Sequence, residues 1–249
     1  MNYRNKMDFL KEYKRLKAIG FPISDETISF ITALGKSNEI ETHFDIYCME
    51  MQCPKQERGF GIYEEFSEHG RAGGDYLLSR LEDEESIAIN AAYLLSSFRE
   101  QNVCHFNAAE QATILRALTR LAESKTAEIR RKSLIAIGWV GAVNEIELLN
   151  RHLLTDEDSL CRAWSVSSFL QMSMSKRIEA DLLQSKTRDN LIKSLQSETD
   201  AFVKGVAVET IQTVWKTSFG LRASAVDALN VKAIEKAAAK ALQFLEQGQ

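Results

Sequence analysis

Ile129-Arg130-Arg131-Lys132-Ser133-Leu134-Ile135-Ala136-Ile137-Gly138 is the stretch that decides the fold of this chain. Its small and apolar residues Ile129, Ser133, Ala136 and Ile137, continued by Val140, fall at offsets 0, 4, 7, 8 and 11. At about 100° per residue these offsets share one stripe of a helix, so the segment reads as an amphipathic helix with a narrow buried face. The same offsets return from three other starts. They pick out Ile87, Ala91, Leu94, Leu95 and Phe98; Cys161, Ser165, Ser168, Phe169 and Met172; and Val203, Ala207, Thr210, Ile211 and Val214. The starts are 42, 32 and 42 residues apart, which leaves room for a partner helix and two turns between copies. A period of this size predicts an all-α chain, an α-α superhelix of stacked antiparallel helix pairs.

Composition agrees with helix throughout. There are only two prolines, Pro22 and Pro54, and 45% of residues are hydrophobic, with no run of β-branched alternation. The partner helices are predicted at Asp75–Leu81, Ala108–Ala122, Glu145–Leu154 and Ile178–Leu195. Earlier, helices are expected at Lys6–Ile19, from Glu26 to Leu34, at Glu41–Met51 and at Ile62–Phe66. Gly20-Phe21-Pro22-Ile23-Ser24 forms the stop-and-restart signal between the first two. Gly70-Arg71-Ala72-Gly73-Gly74 reads as the most flexible interior segment, a turn that launches the next helix and presents Arg71. The whole chain, residues 1–249, is expected to be one α-solenoid domain. Within it, residues 1–70 are irregular N-terminal helices, 75–215 the repeats, and 223–247 a terminal capping helix.

The net charge of −4 argues against a general nucleic-acid binder, because phosphate affinity needs a basic surface. It suits a basic protein partner instead. The polar start and the absence of any run near ~18 apolar residues predict no membrane span and a cytoplasmic location. Cys48, Cys53, Cys104 and Cys161 show no metal spacing and read as reduced thiols. His43, His69, His105 and His152 show no i,i+4 pairing or zinc motif, and read as surface or boundary residues. No metal, cofactor or catalytic residue is expected.

Three residues before each repeat start stand Glu84, Thr126, Asp158 and Asp200, acids or caps suited to a helix N-terminus. One residue after each start stand Ala88, Arg130, Arg162 and Lys204. A turn acid, a hydrophobic residue, a basic residue, small residues and a Leu or Ile resemble the HEAT repeat, over about residues 75 to 215. That resemblance implies an Asp–Arg ladder along the turns, from which the Ile87 copy departs because it lacks the basic residue. It also implies that the repeated helices line a concave surface, with offsets 3, 6 and 10 facing either the groove or the neighbouring helix, where they would fill gaps between stacked helices.

Those offsets hold Asn90, Tyr93 and Ser97; Lys132, Ile135 and Trp139; Trp164, Ser167 and Gln171; and Val206, Glu209 and Thr213. Tyr93, Trp139 and Trp164 are the candidate anchors, being residue types favoured at interfaces, with Lys132 beside them. Acids cluster at the turns as Glu82-Asp83-Glu84-Glu85, Asp156-Glu157-Asp158, and Glu198 with Asp200. Capping and dipole compensation explain part of this, but the four at Glu82–Glu85 exceed that need, and the aligned turns predict a negative rim. Its steering charges are Glu82, Asp83, Glu84, Glu85, Asp156 and Asp158.

A stand-alone acidic solenoid is similar to bacterial immunity proteins, which implies a non-enzymatic antidote that occludes a basic nuclease toxin. HEAT-like DNA glycosylases for alkylated bases give the alternative, with Tyr93, Trp139, Trp164 and Glu209 in the groove. A chromophore lyase or assembly chaperone of the same architecture is a third.

Overall fold

The computed structural model describes residues 8–101 and 103–248. Among them every regular element is helical and none is a strand. The α-helices are α1 (Phe9–Ala18), α2 (Asp25–Gly35), α3 (Ile40–Gln52), α4 (Ile62–Glu65), α5 (Gly70–Ser79), α6 (Glu85–Glu100), α7 (Ala108–Ala122), α8 (Ala127–Val140), α9 (Ile146–Thr155), α10 (Ser159–Met174), α11 (Ala180–Ser197), α12 (Ala201–Val214), α13 (Ala223–Asp227) and α14 (Val231–Gln247). Short 3₁₀ turns occupy Lys55–Glu57, Phe66–His69 and Val143–Glu145. Where the sequence suggests one array, the contacts cluster into two compact units, Met1–Ile114 and Leu115–Gln249, with the division inside α7. The start of the expected Lys6–Ile19 helix lies outside the described residues.

In the first unit the predicted punctuation is present. Asp8 caps α1 by accepting from the Lys11 N–H, and the i, i+4, i+7 set Phe9, Tyr13 and Leu16 is buried. Gly20 and Phe21 take positive φ of 82° and 48° to turn the chain, and Ser24 caps α2. A buried carboxylate ties the unit together. Glu50, 1% exposed, accepts from the Tyr13 hydroxyl at 2.5 Å, the Lys17 ammonium at 2.7 Å and the Gly59 N–H at 2.5 Å. Phe30, Phe44, Tyr47, Phe66 and Phe98 fill the core.

The Gly70–Gly74 run corrects the expectation of a flexible turn: it is the first half of helix α5. Gly73 and Gly74 answer to packing, whereas Gly70 takes φ 50° in open space. A Cβ on Gly73 would lie 2.8 Å from the His69 Cβ, and one on Gly74 would lie 3.2 Å from both the Cys104 sulfur and the Phe106 ring. The helical cost of glycine, about 1 kcal/mol each, is accepted where no side chain fits. Arg71 is not presented outward on its own. It pairs with Asp75 at 2.6 Å and with Glu110, and its guanidinium lies 5.9 Å from the Phe106 ring centroid.

In the second unit, successive repeated helices pack side by side, α8 on α10, α10 on α12 and α12 on α14. A second layer packs α9 on α11, and α9 also contacts α10, as α11 contacts α12. This two-layer arrangement is compatible with a helical repeat. The four predicted stripes are buried at every position except Ile87 and Ile129, which are partly exposed. Burying each large apolar side chain contributes roughly 1.5–3 kcal/mol, so the stripe is the main source of cohesion between layers. Gly138 shows how close the helices approach. A Cβ there would sit 2.8 Å from Ser168 Oγ, which itself donates to the Leu134 carbonyl at 2.7 Å.

The C-terminal capping segment is not one helix. It breaks after α13, where Leu229 takes φ 48°, and Asn230 then caps α14 by accepting from the Ala233 N–H.

Candidate protein-binding surface

The turns of the second unit carry a ladder. Arg130 grips Asp156 with both guanidinium edges, Nε at 3.0 Å and Nη2 at 2.8 Å, and its Nη1 donates to the Ser124 and Lys125 carbonyls. Arg162 repeats the scheme one copy later, holding Glu198 at 2.7 and 3.0 Å and donating to the Asp156 and Glu157 carbonyls. Lys204 continues it with Glu235 at 2.8 Å. Arg130 and Arg162 therefore each satisfy carbonyls at the end of one helix and reach an acid in a following turn, which accounts for the basic residue one position after these two starts. In the first unit Ala88 stands at this position, buried and apolar.

This ladder corrects the expected rim. The Asp156 side chain is only 2% exposed and is shared among Arg130, His152 Nδ1 at 2.9 Å and the Asp158 N–H. Burial pushes its carboxyl up, but the Arg130, Asp158 and His152 hydrogen bonds outweigh that and hold it below the ordinary value. Asp158 is taken by Arg131 and by capping the Cys161 N–H, which hold it well below the usual carboxylate range. Neither is a free steering charge. Glu157, by contrast, is 86% exposed.

Trp139 and Trp164 lie half-buried on α8 and α10 of the second unit. Ile135, Ser167 and Gln171 beside them are also partly exposed, and Lys132 there lies 3.7 Å from Glu128. Trp164 meets Phe202 of α12 edge-on at 6.3 Å, so part of its ring is used in stacking neighbouring helices. Phe202 precedes a repeat start by one position and was not singled out by the sequence. Glu209 on α12 is half-buried, its carboxyl raised by burial and then by Asp227.

Tyr93 belongs to the first unit, where it packs on Tyr63 at 6.1 Å, and Tyr63 on Tyr47 at 6.1 Å. Burial, then the neighbouring Tyr63, pushes its hydroxyl up to about 12. It is a half-buried member of a tyrosine stack rather than a projecting anchor. Asn90 and Ser97, at the neighbouring offsets, are buried.

The exposed acids of the first unit form the remaining negative surface. Glu82, Glu84 and Glu85 are exposed; Asp83 is half-buried and holds Arg80 at 2.8 Å. Arg80 lies 5.8 Å from the Tyr76 ring centroid, and its field reaches Asp45 on α3. Asp45 is nevertheless raised, by burial first and by Glu41 one turn away. Glu41 and Asp45 are thus further exposed acids of the first unit, linked to the Glu82–Glu85 turn through Arg80, which pairs with Asp83. Their i,i+4 like-charge spacing is the signal that could have found them.

The rest of the inventory is structural. His43 and His152 are buried, correcting the surface reading, and all four cysteines are free thiols. Among the described residues no group of three or more His, Cys, Asp or Glu side chains converges to hold a metal ion. No helix of the described residues is long and apolar enough to cross a membrane.

Comparison with protein-family models, curated proteins and solved structures finds no match. The functional reading therefore rests on the surface just described.

Proposed function

We propose that the chain is a non-enzymatic, HEAT-like superhelical scaffold that binds a basic protein. Its most economical role is as a cytoplasmic immunity protein that occludes a basic nuclease toxin. One observation carries this reading: the charge is unevenly placed. Residues 1–114 hold 19 Asp and Glu against 12 Lys and Arg, whereas residues 115–249 hold 16 against 19. The acidic excess therefore lies in the unit whose Glu41, Asp45, Glu82, Glu84 and Glu85 are exposed. Like charges held close cost stability when alone, and a cationic partner relieves that cost on docking. A nuclease, whose cleft must attract phosphate, presents such cations. Trp139, Trp164 and Ile135 supply candidate contact area in the second unit, with Lys132 at its margin.

A second reading has support of its own. The charge objection to a DNA glycosylase weakens for residues 115–249, whose net charge is positive and which hold Trp139, Trp164 and the half-buried Glu209. Assaying purified protein for release of free base from alkylated duplex DNA separates the two. Release that Glu209→Gln abolishes supports the glycosylase and overturns the scaffold reading. Without release, tight salt-sensitive binding of a basic protein recovered from the cell of origin supports the scaffold.

A further inference from the structure

His43 of α3 and His69, at the junction before α5, stand 26 residues apart and form a directly bonded pair. His43 Nδ1 lies 2.9 Å from His69 Nε2, and His43 Nε2 lies 2.9 Å from the Ile62 carbonyl. His43 is fully buried, 0% exposed, with its ring 4.9 Å from that of Phe66. These contacts fix the protons. A carbonyl only accepts, so His43 Nε2 carries the hydrogen and donates to Ile62. His43 Nδ1 is then a bare acceptor and takes the His69 Nε2–H, which turns the hydrogen of neutral His69 away from its other partner, the Ser37 backbone. The neutral pair thereby ties α3 both to the start of α4 and to the start of α5.

A second proton on His43 Nδ1 either opposes the His69 Nε2–H at 2.9 Å or drives that hydrogen round to His69 Nδ1, toward the Ser37 backbone, and both outcomes leave a cation on a fully buried ring. Charged groups on these elements are Asp25 and Glu26 in α2, Lys36 after it, Glu39 before α3, Glu41, Asp45 and Glu50 in α3, Glu64 and Glu65 in α4, Glu68 before His69, and Arg71 and Asp75 in α5. Glu68 acts on His69, while the field on His43 comes from His69 itself. Among the described residues, the groups that act on His43 are the Ile62 backbone and His69, neither of them a carboxylate.

We infer that the His43–His69 pair is a proton-operated latch: it holds α3 against the α4–α5 junction when neutral, and mild acid opens this part of the first unit. The energetics agree. Burial pulls His43 down to about 3, with the Ile62 carbonyl opposing and His69 adding to the drop, and burial lowers His69 as well. A histidine depressed in the folded state stabilises fully above its unfolded value of about 6.5. That contribution is lost as pH falls from there toward the folded value, so the opening equilibrium rises about tenfold per pH unit for each such group.

The test is hydrogen exchange of the intact protein at pH 7.5 and pH 5, corrected for intrinsic rates. Amides of α3 and of residues 62–73 should open at least tenfold more at pH 5, with those of α10 and α12 little changed. His43→Gln keeps a donor for Ile62 and an acceptor for His69 without titrating, and should flatten most of that dependence. Should this variant fold poorly, carbon and nitrogen shifts of the wild-type imidazoles report the same chemistry. They should show His43 neutral, with its hydrogen on Nε2, down to pH 5 while the native signal persists. Unchanged protection in residues 40–73, equal loosening of α10 and α12, a wild-type response in His43→Gln, or a protonated His43 at pH 6 would each overturn the latch.

Discussion

Removing the Arg130 side chain asks directly whether the turn ladder holds the second unit together. Arg130→Ala strands the Asp156 carboxylate, 2% exposed, with only His152 and the Asp158 N–H as partners. It also releases the Ser124 and Lys125 carbonyls from the guanidinium. Breaking a buried ion pair from one side costs about 3–5 kcal/mol, because the charge left behind remains desolvated. Lost hydrogen bonds to the carbonyls add to this, while water entering the gap reduces it, so a loss of about 3 kcal/mol is expected. The internal control is Arg151→Ala. Its partner Glu123 is half-exposed, as Arg151 is, and such pairs contribute about 0–1 kcal/mol. Urea denaturation monitored by tryptophan fluorescence measures both, since all three tryptophans lie in residues 115–249. The double variant Arg130→Ala/Asp156→Asn should recover part of the loss, because it removes the stranded charge. Equal small losses for Arg130→Ala and Arg151→Ala would refute the ladder as a stabilising element.

Other outcomes follow from the same packing. Ala136, 0% exposed on the α8 stripe, tolerates no charge, and Ala136→Glu should abolish the cooperative thermal transition of the second unit. Lys176 and Lys216 follow α10 and α12 at φ 53° and 51°, in left-handed turns that glycine adopts without strain. Lys176→Gly and Lys216→Gly should each raise stability by up to about 1 kcal/mol, read as a higher urea midpoint at unchanged slope.

Much of the fold was legible because a buried stripe is a local, periodic property. The offsets of Ala136, Ile137, Phe169 and Ile211 identify which face is inside, and Asp158 and Asp200 cap their helices where the pattern places them. Arg130 and Arg162 were visible as a recurring position, yet their acids lie 26 and 36 residues further on. Counting acids at turns could not separate Asp156, consumed by the ladder, from Glu157, left in solvent. The same limit applies to Gly70–Gly74, where glycine signals both a flexible turn and a close approach. Only the positions of His69, Cys104 and Phe106 decide between them. His43 and His69 share no spacing signal because tertiary folding alone brings them together. Tyr93 was found by its offset, but its place in the Tyr47–Tyr63–Tyr93 stack depends on α3 and α4.

Acidic carboxylates of the first unit should attract a basic protein over distance. The most direct test is the association rate of the purified partner, measured by surface plasmon resonance at several ionic strengths. Wild type is compared with Glu82→Lys/Glu84→Lys/Glu85→Lys and with Trp139→Ala/Trp164→Ala. The association rate should fall steeply with salt for wild type, and should be at least tenfold slower and nearly salt-independent for the charge reversal. The tryptophan variant should instead dissociate faster, by a factor matching a loss above about 1 kcal/mol. A partner that binds all three proteins alike, with no salt dependence, would mean that neither the acidic carboxylates nor the tryptophans form the docking surface.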